Sequence, residues 1–443
     1  MSWPFALALM MALVCLPLFA GLPVALAFFL ANVVGTWLFM GGMAGLSVMP
    51  MEYVFAIGKF SLVPIILFVL MGEILLHTGV AYRAINAIDK LISRVPGRMA
   101  VVSIAGGTVF SSLSGSTIAN TAILGSVLLP DMVKRGYDPR FAMGPIMAVG
   151  GIAMLIPPSA LAVLLASLAE YSIKEVLMAG IVPGVLMALL FLAYVIVRAW
   201  LTPSLAPIDS EVAPVGEGLP WSERIRPFIR DVLPLLLVFV VVVGSIFFKL
   251  ASPTESAALG CLASVFLCVV YRALTFTNLQ KALLETARVS TTILFIIAGS
   301  LTFSQILQVS GATSGLLEWI SGFGLSTLGT VILMMVILLI LGAFMDQVSM
   351  LLLTLPFFLP MAMAQGIDIL WLLVLVLIAM EVSLLTPPFG LLLYVMKGIA
   401  PAGTRLVDIY RAAMPYILLE LLVLALLVIW PSLATTLPRL LLQ

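Results

Sequence analysis

The stretch that decides the fold is Leu385-Thr386-Pro387-Pro388-Phe389-Gly390, a double proline inside an otherwise apolar run. It has a companion in the first half of the chain, Ile156-Pro157-Pro158-Ser159. Proline lacks an N–H and its ring clashes with the preceding turn, so each pair breaks a helix and frees backbone carbonyls. In lipid such groups cost several kcal/mol each unless a cavity, an ion or another protein group satisfies them. Upstream of each break a polar cluster separates two apolar arms: Ser111-Ser112-Leu113-Ser114-Gly115-Ser116-Thr117 in the first half, Met345-Asp346-Gln347-Val348-Ser349 in the second. Ser114 lies 43 positions before Pro157, and Met345 lies 42 before Pro387. A single break or cluster of this kind reads as a kink or a close-packing patch. Two of each, at matched spacing, read as the halves of one site. Its hydroxyl and carbonyl oxygens suit a hard monovalent cation such as Na⁺, and its helix N-termini can face an anion.

Apolar segments surround these elements near 3–20, 22–40, 60–77, 98–113, 117–133, 141–156, 159–172 and 177–199. A second set follows near 232–249, 253–271, 289–308, 327–344, 349–364, 369–385, 388–396 and 413–430. Between the sets, Thr202 to Asp231 is the only long hydrophilic segment, with prolines at 203, 207, 214, 220 and 227 and charges from Asp209 to Asp231. It reads as a linker carrying an amphipathic helix near Trp221–Arg230 along the membrane surface. Basic residues assign the sides. Arg83, Lys90, Arg94 and Arg98 precede the pair 98–133, and Lys134, Arg135 and Arg140 follow it, so both its ends are read as cytoplasmic. No Lys or Arg occurs between Arg288 and Lys397, so the pair 327–364 is read as having both ends outside. Two apolar hairpins entering from opposite faces are what an inverted repeat predicts.

Composition agrees. Hydrophobic residues make up 63% and charged residues 9% of the 443 positions, against about 25% charged in soluble domains. Runs such as Val232–Phe248 and Met414–Trp430 approach the roughly 20 residues that span a bilayer as a helix. A net charge of +1 gives no sign of a nucleic-acid partner. Cys15, Cys261 and Cys268 lie inside apolar stretches without metal-ligand spacing and read as packing residues. Met1 to Ala20 has no basic start of the signal-peptide kind and reads as the first membrane helix. An acid at the bilayer centre is costly, so Glu73, Asp131, Asp346 and Glu381 must face protein or water. Asp346, at a cluster, is the candidate functional acid; Asp131 reads as an interfacial charge beside Lys134 and Arg135; Glu73 and Glu381 are open between structure and function. Glu170, Glu255 and Glu420 read as structural, and His77 as interfacial.

At these residues the chain resembles the large membrane subunit of tripartite ATP-independent periplasmic (TRAP) transporters. The resemblance is carried by Gly21 to Ala27, Ser114 to Ser126, Lys134 to Asp138, Ile156 to Ser159, Gly342 to Asp346 and Leu385 to Leu391, in the family's order and spacing. It implies an all-α polytopic membrane protein, an inverted-repeat elevator-type transporter with two re-entrant hairpins and two broken helices. It divides the chain into first-repeat scaffold helices (1–97), first-repeat transport elements (98–199), a cytoplasmic linker (200–231), second-repeat scaffold helices (232–320), and second-repeat transport elements with the final helix (321–443). It also implies Na⁺-driven import of a small organic acid, of the C4-dicarboxylate, sialic acid or 2-oxo acid kind, across a bacterial-type inner membrane. No cofactor beyond the coupling ion is expected. The implied partners are a four-helix small membrane subunit and a periplasmic substrate-binding protein.

Carried over motif by motif, one sodium site would comprise Ser114 and Ser116 with backbone groups of Ala153, Ile156 and Pro158. The other would comprise Gly342 with oxygens of Ser383, Thr386 and Phe389. Substrate would lie between the tips, near Ser116, Thr117, Asn120 and Asp346. The chain departs from the family at Asn120, where Asp is usual, at Ala153-Met154 in the first break, and at Ser383, where Gly is common. Two rival readings stand beside this one. A stand-alone carboxylate carrier of the same architecture, driven by protons or sodium, would titrate Asp346 and Glu381. An intramembrane serine hydrolase would need His77, the only histidine, to reach Ser114 or Ser116, and there is no His-Glu-x-x-His zinc motif. The expectation is therefore a transporter and not an enzyme.

Overall fold

The computed structural model describes residues 2–91, 95–114, 117–207, 221–388 and 390–442. These are about 83% helical, with no strand among the described residues. The first half holds α1 (Trp3–Phe19), α2 (Val24–Phe39), α3 (Met43–Ile57), α4 (Val63–His77), α5 (Val80–Leu91), α6 (Arg98–Ser114), α7 (Thr117–Lys134), α8 (Pro139–Ile152), α9 (Ala160–Leu168) and α10 (Ile173–Leu201). After the linker come α11 (Trp221–Pro227), α12 (Leu233–Phe247), α13 (Pro253–Val270), α14 (Phe276–Val309), α15 (Ala312–Ser321), α16 (Thr327–Gly342), α17 (Gln347–Ala364), α18 (Ile369–Leu385), α19 (Leu391–Ile399), α20 (Leu406–Ile429) and α21 (Ser432–Leu442). Seven of these helical stretches are long and apolar enough to cross a membrane among the described residues. Large apolar side chains such as Phe55, Phe266 and Leu418 stand exposed on their outer faces. That is the arrangement expected where lipid is the solvent, and the chain is a polytopic membrane protein.

Each half follows one plan. Thr117 and Gln347 open α7 and α17, and Pro139 and Ile369 open α8 and α18, in both cases 230 positions apart. The turn before α8 and α18 is built twice with one chemistry. Gly136 (φ 80°) and Gly366 (φ 65°) take the left-handed conformation that ends the preceding helix. Two residues later Asp138 and Asp368 cap the next helix, accepting from the Arg140 and Phe141 N–H groups and from the Trp371 N–H. The double prolines, both with a cis bond between them, fall in the same register at 157–158 and 387–388.

The long helix α20 fixes how the halves are oriented. Its 24 residues span about 36 Å at 1.5 Å per residue. Near its start, Ala412 and Tyr416 press on Gly144 of α8. Near its end, the Leu427 carbonyl accepts a 2.7 Å hydrogen bond from Trp371 Nε1, in the first turn of α18. The capped starts of α8 and α18 therefore lie at opposite ends of α20, and so do the open ends of the hairpins α6–α7 and α16–α17. Helices α1–α4 pack with α12–α15, and α6–α10 pack with α16–α21, the two groups meeting chiefly through α4 on α6 and α9 and α14 on α17.

The sequence reading needs correction at several elements. Helices α3, α5, α15 and α21 were not among the expected apolar segments. α5 and α15 are short and amphipathic, so their signal is a 3.6-residue period rather than an apolar run. α14 begins at Phe276, not near 289, because its first three turns are polar on one side. α20 begins at Leu406, not 413. The helix expected near Trp221–Arg230 is α11, which runs through a π-helical turn over Phe228–Val232 straight into α12, so that Ile225–Phe247 forms one apolar stretch; the linker residues 208–220 lie outside the described residues.

Candidate functional site

Both helix breaks follow from the double prolines. A helical N–H at position i bonds the carbonyl at i−4, so Pro157 and Pro158 deprive Ala153 and Met154 of their usual donors, and Pro387 and Pro388 do the same to Ser383 and Leu384. α8 ends at Ile152, with Leu155 and Ile156 N–H groups turning back onto the Ile152 carbonyl at 3.1 Å each. The chain resumes at Ser159, whose hydroxyl caps α9 by accepting from Ala162 N at 3.2 Å. In the second break, Thr386 N bonds Ser383 O at 3.2 Å and Gly390 N bonds Thr386 O at 2.9 Å before α19 starts. The residues carried over as backbone ligands, Ala153, Ile156, Pro158, Ser383 and Thr386, thus sit in or beside the two unwound segments. The first four are buried, and Thr386 is half-buried.

The hairpins close on these breaks. In the first, Ser111 Oγ donates to Val149 O of α8 at 2.7 Å. Asn120 Nδ2 donates to the same Ser111 hydroxyl. Gly150 leaves room for Thr121 Oγ1 and the Thr117 carbonyl. In the second, Gly342 packs so closely on Ser383 that a Cβ there would overlap its side chain. Ser383 Oγ donates to Met380 O at 2.6 Å and Thr386 Oγ1 to Val382 O at 2.7 Å, so both hydroxyl protons are committed to α18. Their oxygens keep lone pairs, as a cation ligand requires.

Asp346 is exposed and caps α17: one carboxylate oxygen accepts from Val348 N at 3.1 Å and Ser349 N at 3.2 Å, the other from the Ser349 hydroxyl. Asn120 is fully buried, with Oδ1 lacking a partner among the described residues. The substrate-binding expectation placed these two side chains together. Among the described residues no hydrogen bond joins them: Asn120 bonds within the first hairpin and Asp346 caps the second tip. Ser116 and Phe389 lie outside the described residues, as does the side chain of Ser114, the last residue of α6.

Sequence reasoning quoted Gln347 but gave it no role. It is buried, and its amide donates across the halves to Met154 Sδ at 3.4 Å, beside the first break, and to Met380 O at 3.5 Å on α18. Its signal was its place in a polar cluster within an apolar sequence. Glu381 is also buried completely, against Gly151 of α8, whose missing side chain makes the space. Gly151 and Glu381 are 230 positions apart, so equivalent positions of the two halves touch. All four carboxylate oxygens of Glu381 and of fully buried Glu420 lack hydrogen-bond partners among the described residues. Glu73 instead stands 3.3 Å from His77, and Asp131 2.9 Å from Arg135.

A cavity of about 610 Å³ separates α3 and α14 from the ends of α9 and α17, lined in part by Glu52, Lys59, Glu170, Gln305 and Gln308. Lys59 Nζ and Glu170 Oε1 bridge it at 2.8 Å. The hydrogen bond and charge of Lys59 hold the Glu170 carboxyl below the ordinary glutamate range.

The comparisons with known proteins agree with this architecture. Residues 7–433 match the family model described as the tripartite ATP-independent periplasmic transporter, DctM component. The C4-dicarboxylate TRAP transporter large permease protein DctM of Pseudomonas aeruginosa is 30% identical over 383 residues, covering 86% of each chain. The sialic acid TRAP transporter large permease protein SiaM of Vibrio cholerae is 30% identical over 430 residues, covering 96% of each. Among solved structures, the YdaH transporter of Alcanivorax borkumensis superposes with a TM-score of 0.59 at 15% identity, over 89% of this chain and 90% of that one, a likeness of fold alone. With a match over nearly its whole length, the chain belongs to the DctM family of TRAP transporter large permease subunits, multi-pass proteins of the inner membrane.

Proposed function

We propose that this permease couples Na⁺ entry to import of a small carboxylate, which a periplasmic binding protein delivers and a small membrane subunit helps the permease carry. The observation that carries this reading is the doubled arrangement of break and hairpin, in one register of 230 positions, with the two hairpins opening toward opposite ends of α20. Such a site is an inverted repeat: unwound carbonyls beside hydroxyl-bearing tips suit Na⁺, and helix starts suit an anion. In this reading α6–α10 and α16–α21 form the moving unit of an elevator, its hairpins re-entrant, and the remaining membrane helices form the scaffold. The sodium ligands are Ser114, Ser116, Ala153, Ile156 and Pro158 in one half and Gly342, Ser383, Thr386 and Phe389 in the other. Substrate binds between the tips near Ser116, Thr117, Asn120 and Asp346. Relatives named for C4-dicarboxylates and for sialic acid support a small organic acid as cargo.

The alternative, a stand-alone proton-driven carrier, draws on the unpartnered carboxylate of Glu381. Uptake into proteoliposomes separates the two. The vesicles would hold this chain with its small subunit, with or without the binding protein, under imposed Na⁺ or H⁺ gradients and a panel of C4-dicarboxylates, sialic acid and 2-oxo acids. Accumulation requiring both an inward Na⁺ gradient and the binding protein is the expected result. Robust proton-driven uptake by the permease alone would replace this reading with the stand-alone carrier.

A further inference from the structure

Three arginines from three helices converge on one cavity of about 270 Å³: Arg140 in the first turn of α8, Arg198 in the last turn of α10 and Arg411 near the start of α20. The cavity lies at the end of the molecule that carries Lys134, Arg135 and Arg405, the cytoplasmic end by the distribution of basic residues. Among the described residues its charge is unbalanced. The one acid in its wall, Asp138, is committed to capping α8, accepting from the Arg140 and Phe141 N–H groups. Arg140 Nη2 is paired with Asp408 Oδ1 at 2.7 Å. Arg198 and Arg411 have no carboxylate within ion-pair distance among the described residues. Among the described residues, two guanidiniums therefore face one cavity without a counter-charge, and guanidinium is the side chain best shaped for a phosphate.

The walls say where the rest of the ligand goes. Tyr194, Pro415 and Tyr416 line the interior. Arg411, Met414 and Leu418 share one stripe of α20 at i, i+3 and i+7, and both apolar residues are exposed. On α10, Val197 and Leu201 flank Arg198 and are likewise exposed, with Trp200 beside them at the position where indole rings favour the headgroup level. Exposed apolar side chains thus stand on the same two helices, within two turns of Arg198 and Arg411.

We propose that this cavity is a binding site for an anionic phospholipid of the cytoplasmic leaflet. The lipid phosphate sits among Arg140, Arg198 and Arg411, and its acyl chains run along Val197, Met414 and Leu418. Basic pockets between membrane helices on the cytoplasmic side bind such headgroups by this chemistry. Occupancy would tie α8, α10 and α20 together at their shared end. The assignment needs only the membrane location and is independent of the cargo and of the coupling ion.

The test uses the purified permease in detergent, with native mass spectrometry for lipid retention and thermal denaturation for stability. Phosphatidylglycerol is expected to be retained at least fivefold over phosphatidylcholine by wild type, and to raise its melting temperature. In Arg198→Gln/Arg411→Gln the preference falls to near parity, while melting in phosphatidylcholine is unchanged. Arg288→Gln, at an exposed site on α14, keeps the wild-type preference. Equal retention of the two lipids by wild type overturns the proposal without recourse to any variant. Loss of the preference in Arg288→Gln also overturns it, since bulk charge would then explain binding. Stabilisation by inorganic phosphate equal to that by phosphatidylglycerol assigns the cavity to a soluble anion instead.

Discussion

At the scale of single residues, Asp346 shows how one side chain can satisfy two readings. An acid at a polar tip inside an apolar sequence looks functional because leaving it there is costly. In the fold its oxygens accept from the Val348 and Ser349 N–H groups and the Ser349 hydroxyl, so it caps α17. Removing a cap of this type costs about 0.5–2 kcal/mol. Asp346→Ala is therefore expected to lower the melting temperature of the purified permease, and Asp346→Asn, which keeps an accepting oxygen, to recover most of it. Uptake by the Asn variant then reads the charge apart from the cap. Equal melting of Ala and wild type would remove the capping role.

Elements meet in this protein through missing side chains. α16 crosses α18 where Gly342 faces Ser383, α8 crosses α18 where Gly151 faces Glu381, and α8 meets α20 where Gly144 faces Tyr416. Small residues let helix backbones approach closely, which matters where lipid gives no hydrophobic drive for helix association. Gly342→Val would force the α16–α18 crossing apart at a proposed sodium ligand. Overpacking of this kind costs about 1–3 kcal/mol, so a lowered melting temperature and a weakened Na⁺ dependence of uptake are expected together. A variant that melts and transports as wild type would show that the crossing is loose and that Gly342 is not near the ion.

For the whole molecule, the two groups of helices are joined across the cavity of about 610 Å³ by Lys59 and Glu170 at 2.8 Å. Glu170 is largely exposed and Lys59 partly so, and the pair contributes little to stability. Its interest is positional: a moving unit carrying α9 must break it. Glu170 is held below the ordinary glutamate range by Lys59. The pair's contribution is therefore fully present above the usual glutamate pKa, persists in mild acid, and is lost only as pH falls through the lowered value. In a background lacking the native cysteines, Lys59→Cys/Glu170→Cys is expected to lose transport when a bifunctional methanethiosulfonate links the two thiols across the cavity, and to regain it on reduction. Undiminished uptake by the cross-linked protein would exclude a displacement between the two groups.

Much of this was legible in the residues. Apolar runs, the two double prolines and the distribution of Arg and Lys determine a membrane protein with two halves, because each is a local consequence of hydration, missing N–H groups or charge. The repeat was more legible than spacing of the breaks alone reveals. Gly136 and Asp138 recur as Gly366 and Asp368, and the two Pro-Pro pairs recur in the same register. α5 and α15 escaped an apolar scan because their information lies in periodicity, and α3 because Gly45, Pro50 and Glu52 interrupt the run. Other features depended on contacts between residues far apart in the chain, which no local pattern encodes. Gln347 reaches Met154 across 193 positions. Glu381 is buried against Gly151, and Arg198 and Arg411 come to one cavity from opposite halves. Proline chemistry determines that the helices break; only the packing of one half on the other decides what each break faces.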